Sequence, residues 1–166
     1  MRTKEYQRPL SQQLNTSNQT KLSTTVLGIA LGDDRCLVHM HEVSEVIQTP
    51  KITPVPLTKL WFMGMANVRG NLYGITDLSV FLGSPPTPFN AKSRILLVSK
   101  NYKISTGFLV NSMLGIRDLS DFQRIDNGKT PDTIATKQYL DHTGRQWREL
   151  NLHKLIQNDE FLLISQ

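Results

Sequence analysis

From Leu22 onward, apolar and polar residues alternate in short runs with the spacing of strands. TTVLGIAL predicts a strand, Gly32-Asp33-Asp34 a tight turn, and CLVHM the returning strand. The alternation puts Cys36, Val38 and Met40 on one face, and Leu37, His39 and His41 on the other. Apolar positions Val43 and Val46 continue this pattern. Pro50, Pro54 and Pro56 then exclude a helix or a central strand, so residues 49–56 form a loop.

LTKLWFMGM (57–65) predicts one or two helical turns ending at Gly64. An extended arm, a turn at Arg69-Gly70-Asn71 and another strand follow. Asp77 is placed to cap a short helix, LSVFL, that stops at Gly83. SPPTPFNAKS (84–93) has the composition of a linker. RILLVSK and ISTGFLV predict a second hairpin around Asn101-Tyr102, and YLDHTGRQWREL a third around His142-Thr143-Gly144. Residues 118–136 read as a polar, extended excursion. The helix NLHKLIQ and a terminal FLLIS segment close the chain. Residues 1–21, rich in Gln, Asn, Ser and Thr, predict a flexible N-terminal arm that buries too little surface to offset the entropy of ordering it.

The two halves of this pattern repeat. Val38, Met40, Val43 and Val46 recur 70 residues later as Phe108, Val110, Met113 and Ile116. Asp77-Leu78 recurs 74 residues later as Asn151-Leu152, each a capping residue before a short helix. Two correspondences in the same order predict two similar small β lobes. Neither lobe has a large core of its own, so the two should share an apolar interface.

Composition narrows the function. The chain of 166 residues has a formal charge of +5, but its basic residues are scattered and no RNA- or DNA-binding motif is present. A basic barrel binding nucleic acid is therefore the alternative reading rather than the leading one. No apolar run is long enough to span a bilayer, and no signal sequence opens the chain, which predicts a cytoplasmic protein without membrane insertion. The single Cys36 lies in an alternating segment and reads as a small buried hydrophobe. No nucleophile elbow, phosphate loop or metal motif occurs. His39 and His41 read as solvent-facing histidines rather than metal ligands. We therefore expect no catalytic residues, cofactor or metal.

Arg69, in NVRG, is the unusual residue, lying between Val68 and a turn glycine close to Trp61, Phe62 and Met63. If this arm packs on the core, the guanidinium needs a carboxylate, and Glu45, flanked by Val43 and Val46, is the candidate. Otherwise Arg69 is a plain exposed turn residue.

GMANVRGNLYGITDLSVFLG (64–83) resembles the hallmark of CheW-like domains: a Gly, an N-[LIV]-R-G turn, a strand ending in D-[LF], and a short helix. EVSEV (42–46), STGFLVNSMLGI (105–116) and ELNLHKLI (149–156) match further family segments in order, so the resemblance covers about residues 22–165. Gly74 stands where the family commonly has Pro, and Asn111 and Gly115 replace acidic residues. The RGNLYG wording is most similar to adaptors of chemosensory systems controlling type IV pili and twitching motility.

The resemblance implies a mainly β fold of two five-stranded SH3-like barrels around a shared core, with residues 22–166 as one CheW-like domain of two interleaved lobes. It implies a non-enzymatic adaptor, a monomer alone, that assembles into arrays with partners at membrane-bound receptors. Those partners are the cytoplasmic tip of a chemoreceptor and the regulatory domain of a CheA-type histidine kinase. Carried over by position, Arg69 and Glu45 pair and shape a receptor-facing groove, and Gly64 lets the chain turn tightly before NVRG. Val43, Val46 and Met113 are either groove positions or plain core.

Overall fold

The computed structural model describes residues 24–125 and 135–165. The predicted arm at 1–21 lies outside them. The chain builds β1 (Thr25–Leu31), β2 (Asp34–His39), β3 (Val43–Gln48), β4 (Phe62–Val68) and β5 (Asn71–Asp77). Helix α1 (Leu78–Phe81), β6 (Arg94–Val98), β7 (Thr106–Val110), β8 (Ser112–Asp118) and β9 (Gln123–Ile125) follow. The C-terminal part holds β10 (Ala135–Leu140), β11 (Gln146–Leu150), α2 (Leu152–Ile156) and α3 (Asp159–Leu162).

Two sheets form, in the orders β8-β1-β2-β11-β10-β9 and β3-β6-β7-β5-β4. The lobes are thus interleaved: the first hairpin, β1–β2, belongs with the C-terminal strands, and residues 43–110 supply the other sheet. The chain crosses between sheets through a 3-10 turn at Met40–Glu42 and again between β7 and β8. The predicted linker, 84–93, joins α1 to β6 and so begins and ends against the same sheet.

The sequence repeat is an internal two-fold in the register itself. Thr76 pairs with Phe108 in the parallel β5–β7 ladder, and Leu150 pairs with Val38 in the parallel β11–β2 ladder. These are the positions that the 70- and 74-residue spacings equate. Each β3-type strand carries a bulge at the matching residue: Ser44 is skipped between Val43 and Glu45, and Leu114 between Met113 and Gly115. The strand counts of five and six differ at one place. β9 lies along β10, whereas its counterpart beside β4 is reduced to one bridge, Thr53 to Met65, in the segment carrying Pro50 and Pro54.

Three apolar clusters hold the molecule together. The largest lies between the sheets and includes Ile29, Cys36, Val38, Leu78, Phe108, Val110, Leu150, Leu152 and Phe161. It is the shared core expected for two small lobes. Each lobe has its own interior as well, Tyr73, Ile75, Ile95, Leu97 and Leu109 in one, Val26, Leu37, Tyr139 and Trp147 in the other. In the second lobe Trp147 takes the place of Tyr73, and Gly28 that of Leu97. A Cβ on Gly28 would lie 3.1 Å from the indole, so the larger ring fills the space of the absent side chain.

Two local expectations fail. Residues 57–65 do not form helical turns that end at Gly64: Phe62–Val68 is β4. Nor does Gly64 make a turn. It sits inside the strand, buried, at φ 133°, where residues 53–54 cross so closely that a Cβ would lie 2.1 Å from the Thr53 carbonyl oxygen. The crossing is fixed by hydrogen bonds from Thr53 N to Met65 O (2.8 Å) and Met65 N to Thr53 O (2.9 Å).

Candidate functional site

β4 and β5 are joined by Arg69 and Gly70 alone, and Val68 pairs with Asn71 across the turn. Both linking residues have positive φ, 52° and 84°, the pattern of a type I′ turn. Such turns favour Asn or Gly at the first position, and an arginine there accepts an unfavourable backbone conformation. Asn67 locks the turn by accepting a hydrogen bond from Gly70 N at 2.9 Å on its Oδ1, which gives a local reason for the asparagine of NVRG.

Glu45 reaches the turn from β3. The bulge at Ser44 shifts the register there. The Arg69 guanidinium donates through Nη1 to Glu45 Oε2 at 2.9 Å and through Nη2 to Oε1, a two-point contact. Arg69 is 72% exposed and Glu45 33%, so the pair sits on the surface, and the glutamate draws the guanidinium pKa further up. Exposed pairs contribute little to folding. The contact therefore orients a surface rather than stabilising a core.

The pair borders a cleft of about 210 Å³ whose walls include Ser44, Val68, Tyr73 and Lys100. Val68 and Tyr73 flank the turn in the NVRG and RGNLYG segments, whereas Lys100 joins them only because β3 lies beside β6. The other candidate residues lie elsewhere. Val43, Val46 and Met113 are half-buried and pack against the shared core, with Val43 and Met113 at equivalent positions beside the two bulges. Gly64 lies within β4 under the 53–54 crossing.

His39 is not solvent-facing. Its Nε2 contacts Glu149 Oε1, and only 19% of its side chain is exposed; His41 is exposed. The apolar partner of this pair's strand, Leu37, shows why: that face of β2 lines the second lobe's interior. Cys36 is fully buried in the shared core, as its alternating segment predicts. Among the described residues, no His, Cys, Asp or Glu group could hold a metal ion, and no helix is long and apolar enough to cross a membrane.

Residues 25–160 match the model of the CheW-like domain. The chain is 28% identical over 161 residues to Protein PilI of Pseudomonas aeruginosa, covering 95% of this chain and 89% of that protein. It is 25% identical over 134 residues to Chemotaxis protein CheW of Thermotoga maritima, covering 80% and 87% respectively. Among solved structures, the scaffolding protein TtCheW of Thermoanaerobacter tengcongensis superposes with a TM-score of 0.67 at 19% identity. That match covers 82% of this chain and 94% of that one, and it shows the fold alone. With an interleaved two-lobed fold, a surface Arg–Glu turn and a family match across nearly the whole described chain, the protein belongs to the CheW-like family of chemosensory adaptors, which are scaffolds rather than enzymes.

Proposed function

We propose that this adaptor couples the cytoplasmic tip of a chemoreceptor to the regulatory domain of a CheA-type histidine kinase. The observation that carries the reading is the Arg69–Glu45 contact: an arginine held in a left-handed turn on the surface, where its pairing adds little stability. A charge fixed in direction beside a cleft suits recognition of a helical receptor tip, with apolar anchors entering the groove and the guanidinium setting register. Val43, Val46 and Met113, half-buried against the shared core, would supply apolar contacts apart from this pair, and Gly64 holds β4, the strand leading to the turn.

The kinase would meet a different face. Residues 58–59 pair with 164–165, and this brings the exposed Leu57, Leu60, Leu162 and Leu163 into one region. Apolar side chains exposed together favour contact with a partner of similar architecture. The protein then works in the cytoplasm, as a monomer recruited into receptor arrays by its partners. Similarity to PilI along 95% of the chain supports an output in type IV pili and twitching motility.

A pull-down with a CheA-type regulatory domain, with total nucleic acid offered in parallel, tests the reading. Saturable kinase binding that survives moderate salt is expected. Binding to nucleic acid alone, lost as salt rises, would overturn it.

A further inference from the structure

The internal two-fold shows one place where the lobes differ in kind. In the first lobe, Ile75 and Leu109 belong to an apolar interior. The equivalent residues of the second lobe are Glu149 and His39, an acid and a base in contact. Glu149 is buried, and Tyr139 Oη donates to its Oε2 at 3.4 Å. The buried Nδ1 of His39 has no hydrogen-bond partner among the described residues. An ion pair in such a place is seldom better for stability than the apolar pair of the sister lobe.

His39 also ends β2, directly before the 3-10 turn by which the chain crosses to the other sheet. That turn contains a second buried carboxylate, Glu42, which accepts from Leu152 N and His153 N at the start of α2, both at 3.3 Å. The Glu42 carbonyl accepts from Ser99 N at 2.8 Å. The crossing is thus tied to both sheets, and it leads into β3, where Glu45 lies. Around it stand Lys137 and Tyr139 of β10, His41 of the turn, Tyr102 and His153. His41 is 5.5 Å from His39 between ring centroids, and the other two rings stack at 4.6 Å.

We propose that the His39–Glu149 pair, with Glu42 beside it, is a proton-operated latch on this crossing and, through it, on the position of Glu45. The hydrogen bond that His39 donates to Glu149 outweighs burial and raises the His39 pKa. Burial raises Glu149, but the hydrogen bond and charge of His39 reverse this and leave it lowered. Burial raises Glu42 despite its two backbone donors. The histidine contribution is therefore complete below its ordinary pKa of about 6.5 and is lost as pH rises through the higher folded value. The Glu149 contribution fails only in acid, below the ordinary carboxylate range. The latch is closed below the ordinary histidine pKa and opens as pH rises through the higher folded value of His39.

A ¹⁵N-resolved NMR titration of the full chain from pH 6 to about 9 tests this, with the unfolding midpoint followed in parallel. We expect the Ser44 and Glu45 amides to shift together with the His39 ring, at a midpoint above about 6.5. Unfolding temperature should fall over the same range. His39→Leu/Glu149→Ile, which installs the residues of the sister lobe, should abolish both responses, while His41→Gln should leave them. If the double variant does not fold, Glu149→Gln decides: the His39 midpoint and the amide response must both move down. Crossing amides that ignore the His39 titration, or that respond equally in the double variant, would overturn the proposal. So would an unmoved His39 midpoint in Glu149→Gln.

Discussion

Arg69 and Glu45, 24 residues apart, meet through both ends of the guanidinium across two strands that are not neighbours in their sheet. The β4–β5 turn presents one and the bulged edge strand β3 the other. Since the pair is largely exposed, its loss should barely move stability. Arg69→Glu should keep the wild-type unfolding midpoint within a few degrees and weaken receptor binding by about tenfold or more. Calorimetric titration of a receptor-tip fragment against both proteins checks this. A variant that unfolds would assign Arg69 to the fold instead.

Gly64→Ala should have the opposite profile. The added methyl meets the Thr53 backbone, which is held on both sides by hydrogen bonds and has little freedom to retreat. We expect a loss of about 3 kcal/mol, from overpacking and from a φ that L residues avoid. Denaturant unfolding measures it, and a stability equal to wild type would contradict the crossing described here.

Asp77 ties two segments together. Its carboxylate caps α1 through Ser79 N and Val80 N, and also accepts from Thr87 N at 2.9 Å and Thr87 Oγ1 at 2.7 Å. Asp77→Ala leaves buried donors unpaired, so about 2–3 kcal/mol should be lost, more than an exposed cap costs. Asp77→Asn should recover part of that loss in the same chemical denaturation experiment.

Cys36 gives a probe of the shared core. Burial pushes its thiol up to about 11, so at pH 8 it is both protonated and inaccessible. Alkylation by iodoacetamide should be negligible in the native protein and rapid in denaturant. Ready labelling of the folded protein would show that the lobes separate in solution.

The Leu57–Leu163 region should bind the kinase independently of the Arg69 site. Leu60→Asp, at a position with 89% exposure, should leave the unfolding midpoint unchanged and reduce affinity for a CheA-type regulatory domain by about tenfold. Equal affinity, measured by the same calorimetric titration, would remove this face from the account.

Much of this architecture is legible in the chain because it is written twice. The spacing of Val38 to Val46 and of Phe108 to Ile116 encodes two strands that switch sheets, and the ladders keep that correspondence to the residue. Asp77 and Asn151 announce their helices because capping is a local interaction. What the pattern hides is non-local. The apolar run 57–65 has a helix-like spacing, and its second half becomes strand through the ladder that Phe62–Val68 makes with β5. His39 and His41 alternate as strand residues do, but the carboxylate that draws His39 inward is 110 residues away. At the site, Arg69 and Glu45 are legible from the family motif, whereas Lys100 reaches the cleft only through the pairing of β3 with β6 within one sheet.

The central claim is that this chain transmits between two partners. Its most direct test is kinase autophosphorylation in a mixture of receptor-tip fragment, CheA-type kinase and this protein. We predict that wild type makes kinase activity depend on the receptor fragment, and that Arg69→Glu, still folded and still bound to kinase, does not. Kinase activity that depends equally on the receptor fragment with wild type, with Arg69→Glu and with no added protein would contradict the account.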